Sequence, residues 1–434
     1  MDKKICILGL GYIGLPTAAF FASAGYQVVG VDVSSRVVKG INGHRIHVEE
    51  PGLAQVVKKA VEEEKLRAKE IPEEADVFII AVPTPLREDC KGDMSCVEEA
   101  ARAILPYLRP GNLVILESTV GPGTTRELLC PLLAQSGLEI GEELMVAFCP
   151  ERVLPGKIME EMVYNNRIVG GINEESSRRA ESLYRSFVKG EMYLTDATTA
   201  EAVKLMENTF RDVNIALANE LALISSRLGI DVGEAIELAN KHPRVNLHQP
   251  GPGVGGHCLA VDPWFIVEKA PTQARLIAQS RRINDGMPSY VAELVLEALK
   301  DSSSPRAALL GMAYKGDVND LRESPSLKVA EILQEKGLSL GIHDPHVEKE
   351  DLAAQGLIWN SLSQAVEGAD LLVVLTDHRE YKLLDPREIA PLVRNRVVLD
   401  TRRVLDRKLW EDAGFKVVRI GEGRVDLSRQ PSSL

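Results

Sequence analysis

Ile5-Cys-Ile-Leu-Gly9-Leu-Gly-Tyr-Ile-Gly14-Leu-Pro-Thr-Ala-Ala19 decides how the chain is read. Ile5–Leu8 is an apolar run of strand type, and Leu15–Ala24 reads as a helix. The spacing Gly9-x-Gly11-x-x-Gly14 joins them. Glycines there permit a tight turn, backbone approach to a pyrophosphate, and close helix–strand packing. The helix N-terminus then presents unsatisfied N–H groups and the positive end of its dipole to phosphate. Asp32 closes the next apolar run, Val28–Asp32, 18 residues beyond Gly14. A carboxylate at that place accepts hydrogen bonds from ribose hydroxyls and repels a 2′-phosphate, so NAD is expected rather than NADP. Arg36 is a cation close enough to complicate that preference. Gly9, Gly11, Tyr12, Ile13, Gly14, Asp32 and Arg36 are the candidate cofactor residues of this turn.

Working outward, strands are predicted at Val77–Val82, Leu113–Ser118, Met145–Phe148 and Arg167–Val169. Continuous apolar runs separated by helices imply a parallel sheet covered on both faces. Ligands bind such sheets at the carboxyl ends of the strands, which here carry Pro83-Thr-Pro85, Glu117-Ser-Thr119 and Cys149-Pro-Glu-Arg152. From about Thr195 to Lys300 the pattern turns to long helices. Ala200–Leu228 carries an apolar stripe through Val203, Met206, Phe210, Ile215, Leu217, Leu221 and Ile224, read as a spine between domains and a subunit interface. Beyond Ser302-Ser-Ser-Pro305, strands return at Ala307–Leu310, Leu338–His343, Leu371–Thr376, Val397–Asp400 and Val417–Ile420. A chain of 434 residues exceeds one core. The fold class expected is α/β: two doubly wound Rossmann-like domains joined by a central long-helix domain. The boundaries are 1–195, 196–301 and 302–434.

Two further stretches carry chemistry. In Gly251-Pro-Gly-Val-Gly-Gly-His-Cys-Leu-Ala-Val-Asp-Pro263, four glycines in six residues form a poor packing element. They make sense where a ligand approaches the backbone closely beside the Cys258 thiol. Asp262 is placed to assist proton movement and water. His257 points away from its neighbour in an extended segment and is given a structural or substrate-contact role. In Glu201-Ala-Val-Lys-Leu-Met-Glu-Asn-Thr-Phe-Arg211, Lys204, Asn208 and Arg211 share one helical face. A cation and a neutral donor at fixed separation suit an oxyanion, and Lys204 would lower the pKa of a neighbouring thiol. Cys6 and Cys149 read as core residues, and His343 and His346 as structural.

With these residues in view, the chain resembles the UDP-glucose/GDP-mannose 6-dehydrogenase family over its full length. Gly9–Gly14, Pro83-Thr-Pro85, Glu117-Ser-Thr119, Lys204…Asn208 and Gly255-Gly-His-Cys258 occur in the family's order and spacing. Ala202–Asn214, His242-Pro-Arg-Val-Asn246 and Pro252–Trp264 look most like the branch that oxidises UDP-N-acetyl-D-mannosamine. The resemblance implies two successive NAD-dependent oxidations at the sugar C6, through a thiohemiacetal and a thioester on Cys258. It implies catalytic roles for Lys204, Asn208, Asp262, Thr119 and Glu151, and cofactor contacts for Pro83, Thr84, Thr119 and Arg322. Arg152, Val153, Lys204, Asn208, Arg211, His242, Arg244, Gly255, Tyr314, Lys315 and Arg402 would contact the UDP-amino sugar, Arg402 from the same or a partner subunit. Where UDP-glucose dehydrogenases carry a second glutamate, four residues after the one matching Glu151, this chain has Pro155, which implies a sugar other than glucose. The rival readings are another UDP-amino sugar, a two-electron 3-hydroxyacid dehydrogenase with no use for Cys258, and a catalytically silent nucleotide-sugar sensor.

Composition narrows the remaining choices. A formal net charge of −12 argues against nucleic-acid or anionic-membrane surfaces. No apolar run approaches the roughly 18 residues of a membrane helix, and the N-terminus enters a strand at once, leaving no room for a signal peptide. The six cysteines include no CxxC pair, so reduced cytoplasmic thiols are expected, with neither disulfides nor a metal site. A homodimer or higher homo-oligomer is expected.

Overall fold

The computed structural model describes residues 3–154 and 156–423; Pro155 and the last stretch of the expected third domain lie outside the described residues. The chain divides into two compact units. One is Met1–Glu207 with Trp264–Gln273; the other is Asn208–Pro263 with Ala274–Leu434.

The first unit is built on eight strands: β1 Lys4–Leu8, β2 Gln27–Val31, β3 Leu66–Lys69, β4 Val77–Ile80, β5 Leu113–Leu116, β6 Met145–Phe148, β7 Arg167–Gly171 and β8 Met192–Asp196. Their order in the sheet is β3-β2-β1-β4-β5-β6-β7-β8. Alternate residues of one strand feed different cores: Ile5 and Ile7 pack on one face, Cys6 and Leu8 on the other. The expectation of a wholly parallel sheet needs one correction. β7 runs antiparallel to β6, pairing Phe148 with Gly170 and Ala147 with Gly171. That reversal brings the start of β7, Arg167, toward the carboxyl end of β6.

The second unit holds β9 Arg306–Leu310, β10 Ser339–His343, β11 Leu371–Val374, β12 Val397–Asp400 and β13 Lys416–Arg419, all parallel in the order β10-β9-β11-β12-β13. Both faces are again covered, Ala307 and Leu309 on one side, Ala308 and Leu310 on the other. Gly311, at φ +95°, turns the chain directly after β9; a side chain there would strike Thr376. The α/β class, with Rossmann-like sheets in both units and a central long helix, is what the sequence predicted.

That helix spans Ala197–Leu228, 32 residues, with the unit boundary inside it between Glu207 and Asn208. Its buried face holds Leu205, Asn208, Thr209, Asp212, Ala216, Asn219, Ala222 and Ser225. The apolar stripe is only partly covered, and Met206, Phe210, Leu217 and Ile224 are exposed. Among the described residues no helix is long and apolar enough to cross a membrane.

Candidate functional site

In the first unit the three glycines of the opening turn differ in what surrounds them. Gly9 has φ +90°, and a Cβ there would lie 2.5 Å from the Ala81 carbonyl oxygen. A Cβ on Gly14 would lie 1.8 Å from the Gly9 carbonyl oxygen. Both positions are therefore closed by backbone. A Cβ on Gly11 would meet nothing within 4 Å, which leaves this stretch of backbone open to a ligand. The helix Gly14–Ser23 has no side-chain hydrogen bond at its N-cap, but Leu15 N–H donates to the Gly11 carbonyl at 3.2 Å and Pro16 has no N–H, so an anion would be met by the backbone of the turn that precedes them. Asp32 is anchored beside the turn, accepting from Leu10 N–H at 3.1 Å and Ser34 N–H at 2.9 Å. Arg36 is exposed, whereas Tyr12 and Ile13 lie in the turn itself. The next two strand ends are tied together: Thr84 Oγ1 donates to the Thr119 carbonyl at 2.7 Å, beside exposed Pro83. The donors and backbone of this turn fit a dinucleotide.

In the second unit the glycine-rich loop is packed differently from expectation. A Cβ on Gly251 would lie 2.8 Å from Arg402 Nη1, on Gly255 2.5 Å from the Glu323 carbonyl oxygen, and on Gly256 2.8 Å from the Tyr314 ring. The close approach these glycines permit is thus made by the chain's own Arg402, Glu323 and Tyr314, not by a ligand alone. Gly256 also donates its N–H to the Arg322 carbonyl at 3.0 Å, and Asn219 accepts from Gly251 N–H at 2.9 Å. The loop so clamped ends in Cys258, the one exposed cysteine of the six. Burial pushes the thiols of Cys6 and Cys149 up to about 12 and that of Cys130 to about 11, so none of these offers a thiolate near neutrality. Burial first, and then the Arg322 charge, lowers the His257 pKa and favours a neutral ring.

Asp262 N–H donates to the Cys258 carbonyl at 2.8 Å, fixing the carboxylate one turn from the thiol. Asn208 Nδ2 donates to Asp262 Oδ2 at 2.6 Å, and Arg211 donates to Asn208 Oδ1. Three of the expected site residues therefore form one bonded row, with Asn208 and Asp262 buried. The Asn208 amide retains a second N–H for an oxyanion.

Models of the NAD-binding, central and UDP-binding domains of the UDP-glucose/GDP-mannose dehydrogenase family match residues 3–188, 198–286 and 308–407. Over 433 residues the chain is 48% identical to UDP-N-acetyl-D-mannosamine dehydrogenase of Methanocaldococcus jannaschii, with 98% of each chain covered. It belongs to the UDP-glucose/GDP-mannose dehydrogenase family. A solved UDP-D-ManNAc dehydrogenase from Pyrococcus horikoshii is 46% identical, with TM-score 0.90 over 97% of this chain and 100% of that one. NDP-N-acetyl-D-galactosaminuronic acid dehydrogenase of Ralstonia nicotianae is also 46% identical, over 94% of this chain and 97% of its own.

In this UDP-sugar dehydrogenase the remaining expected residues are dispersed within their units. Lys204 is half-buried on the long helix, one turn before Asn208. Arg152 pairs with Glu207 at 2.6 Å beside half-buried Val153. His242 and Arg244 are exposed, as is Lys315. The Arg322 guanidinium is held by Asp320 at 2.6 Å, and Arg402 Nε donates to the Leu375 carbonyl at 3.2 Å. Sequence reasoning missed Glu201, one turn before Lys204. Its buried carboxylate accepts from Gly123 N–H, Thr125 N–H and Thr125 Oγ1 at 2.6 to 2.7 Å, pinning the loop that follows Thr119. A glutamate on the inward face of an amphipathic helix was the available signal.

A buried ionic network was missed as well. Glu151 Oε2 accepts from Arg167 at 2.6 Å and Oε1 accepts from Arg152 N–H at 2.8 Å. The same guanidinium lies 3.8 Å from Glu117 and 4.6 Å from the Tyr184 ring centre. Glu117 further accepts from Tyr184 Oη and, at 3.2 Å, from Thr17 Oγ1 of the helix that opens at Gly14. Burial pushes Glu117 up to about 7 against the opposing charge of Arg167. The folded chain then holds this proton more tightly than the unfolded chain, whose glutamate titrates near 4.5. The contribution to stability is therefore largest below pH 4.5 and falls as pH rises through about 7. Glu117→Gln removes that dependence. The stability of the native chain relative to Glu117→Gln should fall by roughly 3 kcal/mol across that window in urea unfolding. A flat difference would show that Glu117 stays ionised throughout.

Proposed function

We propose that the chain oxidises the C6 hydroxyl of UDP-N-acetyl-D-mannosamine to the carboxylate, with two NAD⁺ reduced per sugar. The near-full-length identity to dehydrogenases of that sugar is the observation that carries this reading. NAD⁺, held by Gly9, Gly11, Gly14 and Asp32 with Thr84 and Thr119 at the neighbouring strand ends, would accept hydride from the sugar carbon in each oxidation. Cys258 adds its sulfur to the aldehyde from the first oxidation, and the carbon remains bound as a thiohemiacetal. The second oxidation leaves a thioester, and water releases the acid and restores the thiol. Lys204 and the second Asn208 N–H stabilise the oxyanions. Asp262, fixed by Asn208, takes or orders the proton of the attacking species. Glu151, bound to Arg167, sets the backbone of Arg152 and Val153 along the sugar. Arg211, His242, Arg244, Gly255, Tyr314, Lys315 and Arg402 would contact the nucleotide sugar, and Arg322 the cofactor phosphates.

The proposed enzyme has an N-terminal cofactor domain (1–195), a central domain (196–301) and a UDP-sugar domain (302–434). It would act in the cytoplasm as a homodimer sharing its central helices, supplying uronic acid to surface polysaccharide. A second reading, oxidation of another UDP-N-acetylamino sugar, draws support from the Ralstonia relative. Turnover with UDP-N-acetylmannosamine, -glucosamine and -galactosamine separates them. The expected outcome is a uronic acid from the mannosamine substrate with two NADH per product. No turnover of that epimer would overturn the assignment.

A further inference from the structure

Away from the residues assigned above, the second sheet gathers a set of metal-ligand side chains. Asp317, His346, His378 and Glu380 each offer one ligand atom, and these atoms lie within 4.8 Å of one another. They come from three strand ends: Asp317 follows β9, His346 follows β10, and His378 and Glu380 follow β11. Their separation in sequence conceals the set. The strand order β10-β9-β11 makes those three ends neighbours.

The buried member is held in one tautomer. His378 is fully buried, with Nε2 3.1 Å from Asp344 Oδ2. Asp344 already accepts from the N–H groups of Met312, Ala313, His346 and Val347 at 2.6 to 3.1 Å, which marks it as an acceptor. Nε2 must then be the protonated nitrogen, and Nδ1 carries the lone pair. Nδ1 accepts the Asp317 backbone N–H at 3.0 Å, a bond that an incoming ion would displace as the Asp317 segment moves. A carboxylate behind a histidine that fixes its tautomer is the usual arrangement around a metal-binding imidazole. His346 stacks on His378 with ring centres 4.8 Å apart, and its Nε2 lies 3.2 Å from Glu380 and 4.0 Å from Asp317.

We propose that Asp317, His346, His378 and Glu380 bind a divalent transition-metal ion of the zinc type at a structural site in the C-terminal sheet. Two imidazoles and two carboxylates suit such an ion better than Mg²⁺ or Ca²⁺, which take oxygen ligands. Bonds of about 2.1 Å set tetrahedral ligands roughly 3.4 Å apart, so a pair at the 4.8 Å limit closes by roughly 1.4 Å. Asp317 and Glu380, both exposed, supply that movement, and Asp317 gives up its Arg379 pair at 2.8 Å, the Arg379 N–H at 2.9 Å and its own N–H bond to His378 at 3.0 Å. The ion would tie the loop that carries Tyr314 and Lys315 to the ends of β10 and β11. This inference does not depend on the reaction proposed above.

The test uses the full chain with Cys258→Ser, so that the exposed thiol does not compete, after chelator treatment. Zn²⁺ is titrated by calorimetry and Co²⁺ by visible absorption. One Zn²⁺ per chain is expected, with Co²⁺ giving the spectrum of a four-coordinate nitrogen–oxygen site. His346→Ala and Glu380→Ala should each weaken binding at least tenfold, with circular dichroism spectra matching the parent. Absence of saturable Zn²⁺ binding, binding unchanged in the double variant, or equal competition by Mg²⁺ would each overturn the site.

Discussion

Cys258→Ser is expected to lower net acid formation by about 10³-fold or more, equivalent to at least about 4 kcal/mol of barrier. Binding of nucleotide sugar and NAD⁺ should stay within a few-fold of the parent. The substitution changes one atom at an exposed position, so the clamp that Arg402, Glu323 and Tyr314 form on the glycines is untouched. What disappears is nucleophilicity. A thiol ionises in reach of neutral pH and a serine hydroxyl does not, unless a base is positioned to activate it. Asp262 is one turn away, and one of its oxygens already accepts from Asn208. The variant should therefore stall after the first oxidation, and any product should be aldehyde with one NADH, not acid with two. Product mass and NADH absorbance, measured on the same sample, distinguish these outcomes. Full acid production by the serine variant would remove the covalent sulfur intermediate from the mechanism, while leaving the dehydrogenase assignment standing.

The central strands were legible because both sheets are buried on both faces, so β1, β4, β5 and β6, like β9, β11 and β12, read as unbroken apolar runs. The edge strands of the first sheet, β3 and β8, were not. Leu66-Arg-Ala-Lys69 alternates buried and exposed positions over four residues, and Met192–Asp196 is half-exposed throughout, so neither shows a strand-like apolar run. Direction was invisible too, since hydrophobic period carries no sense of polarity. The reversal of β7 is what joins Arg167 to Glu151, and the Glu117–Arg167–Glu151 network went unread for that reason. On the long helix, apolar periodicity marked Met206, Phe210, Leu217 and Ile224, which are exposed. The buried face is instead small and polar, with Asn219 bonded to Asn284 and Asp212 ion-paired to Arg281. The helix thus packs inward through amides and charges and leaves part of its apolar stripe exposed. The row Asn208–Asp262 was named residue by residue from the sequence, yet the bond that unites it is a tertiary fact.

The opening glycine turn gives the second large effect, because its members are expected to fail in different ways. At Gly14 a methyl group would sit 1.8 Å from the Gly9 carbonyl oxygen, and that neighbour is backbone with no freedom to rotate away. Gly14→Ala must therefore shift the helix off β1 or break the turn. A cost above about 3 kcal/mol is expected, a large share of a typical folding free energy. Lower soluble yield and an earlier urea midpoint report it, with or without cofactor. Gly11→Ala meets no protein atom within 4 Å, so stability should change by no more than about 0.5 kcal/mol. Its methyl group would occupy the space through which a pyrophosphate reaches the backbone. The Kd for NAD⁺ should rise tenfold or more while the urea midpoint holds, and the nucleotide sugar should bind as before. A merely structural turn predicts the reverse for Gly11, with tolerance of alanine in folding and binding alike. Unchanged NAD⁺ affinity in a fully folded Gly11→Ala chain would place the cofactor somewhere other than this turn.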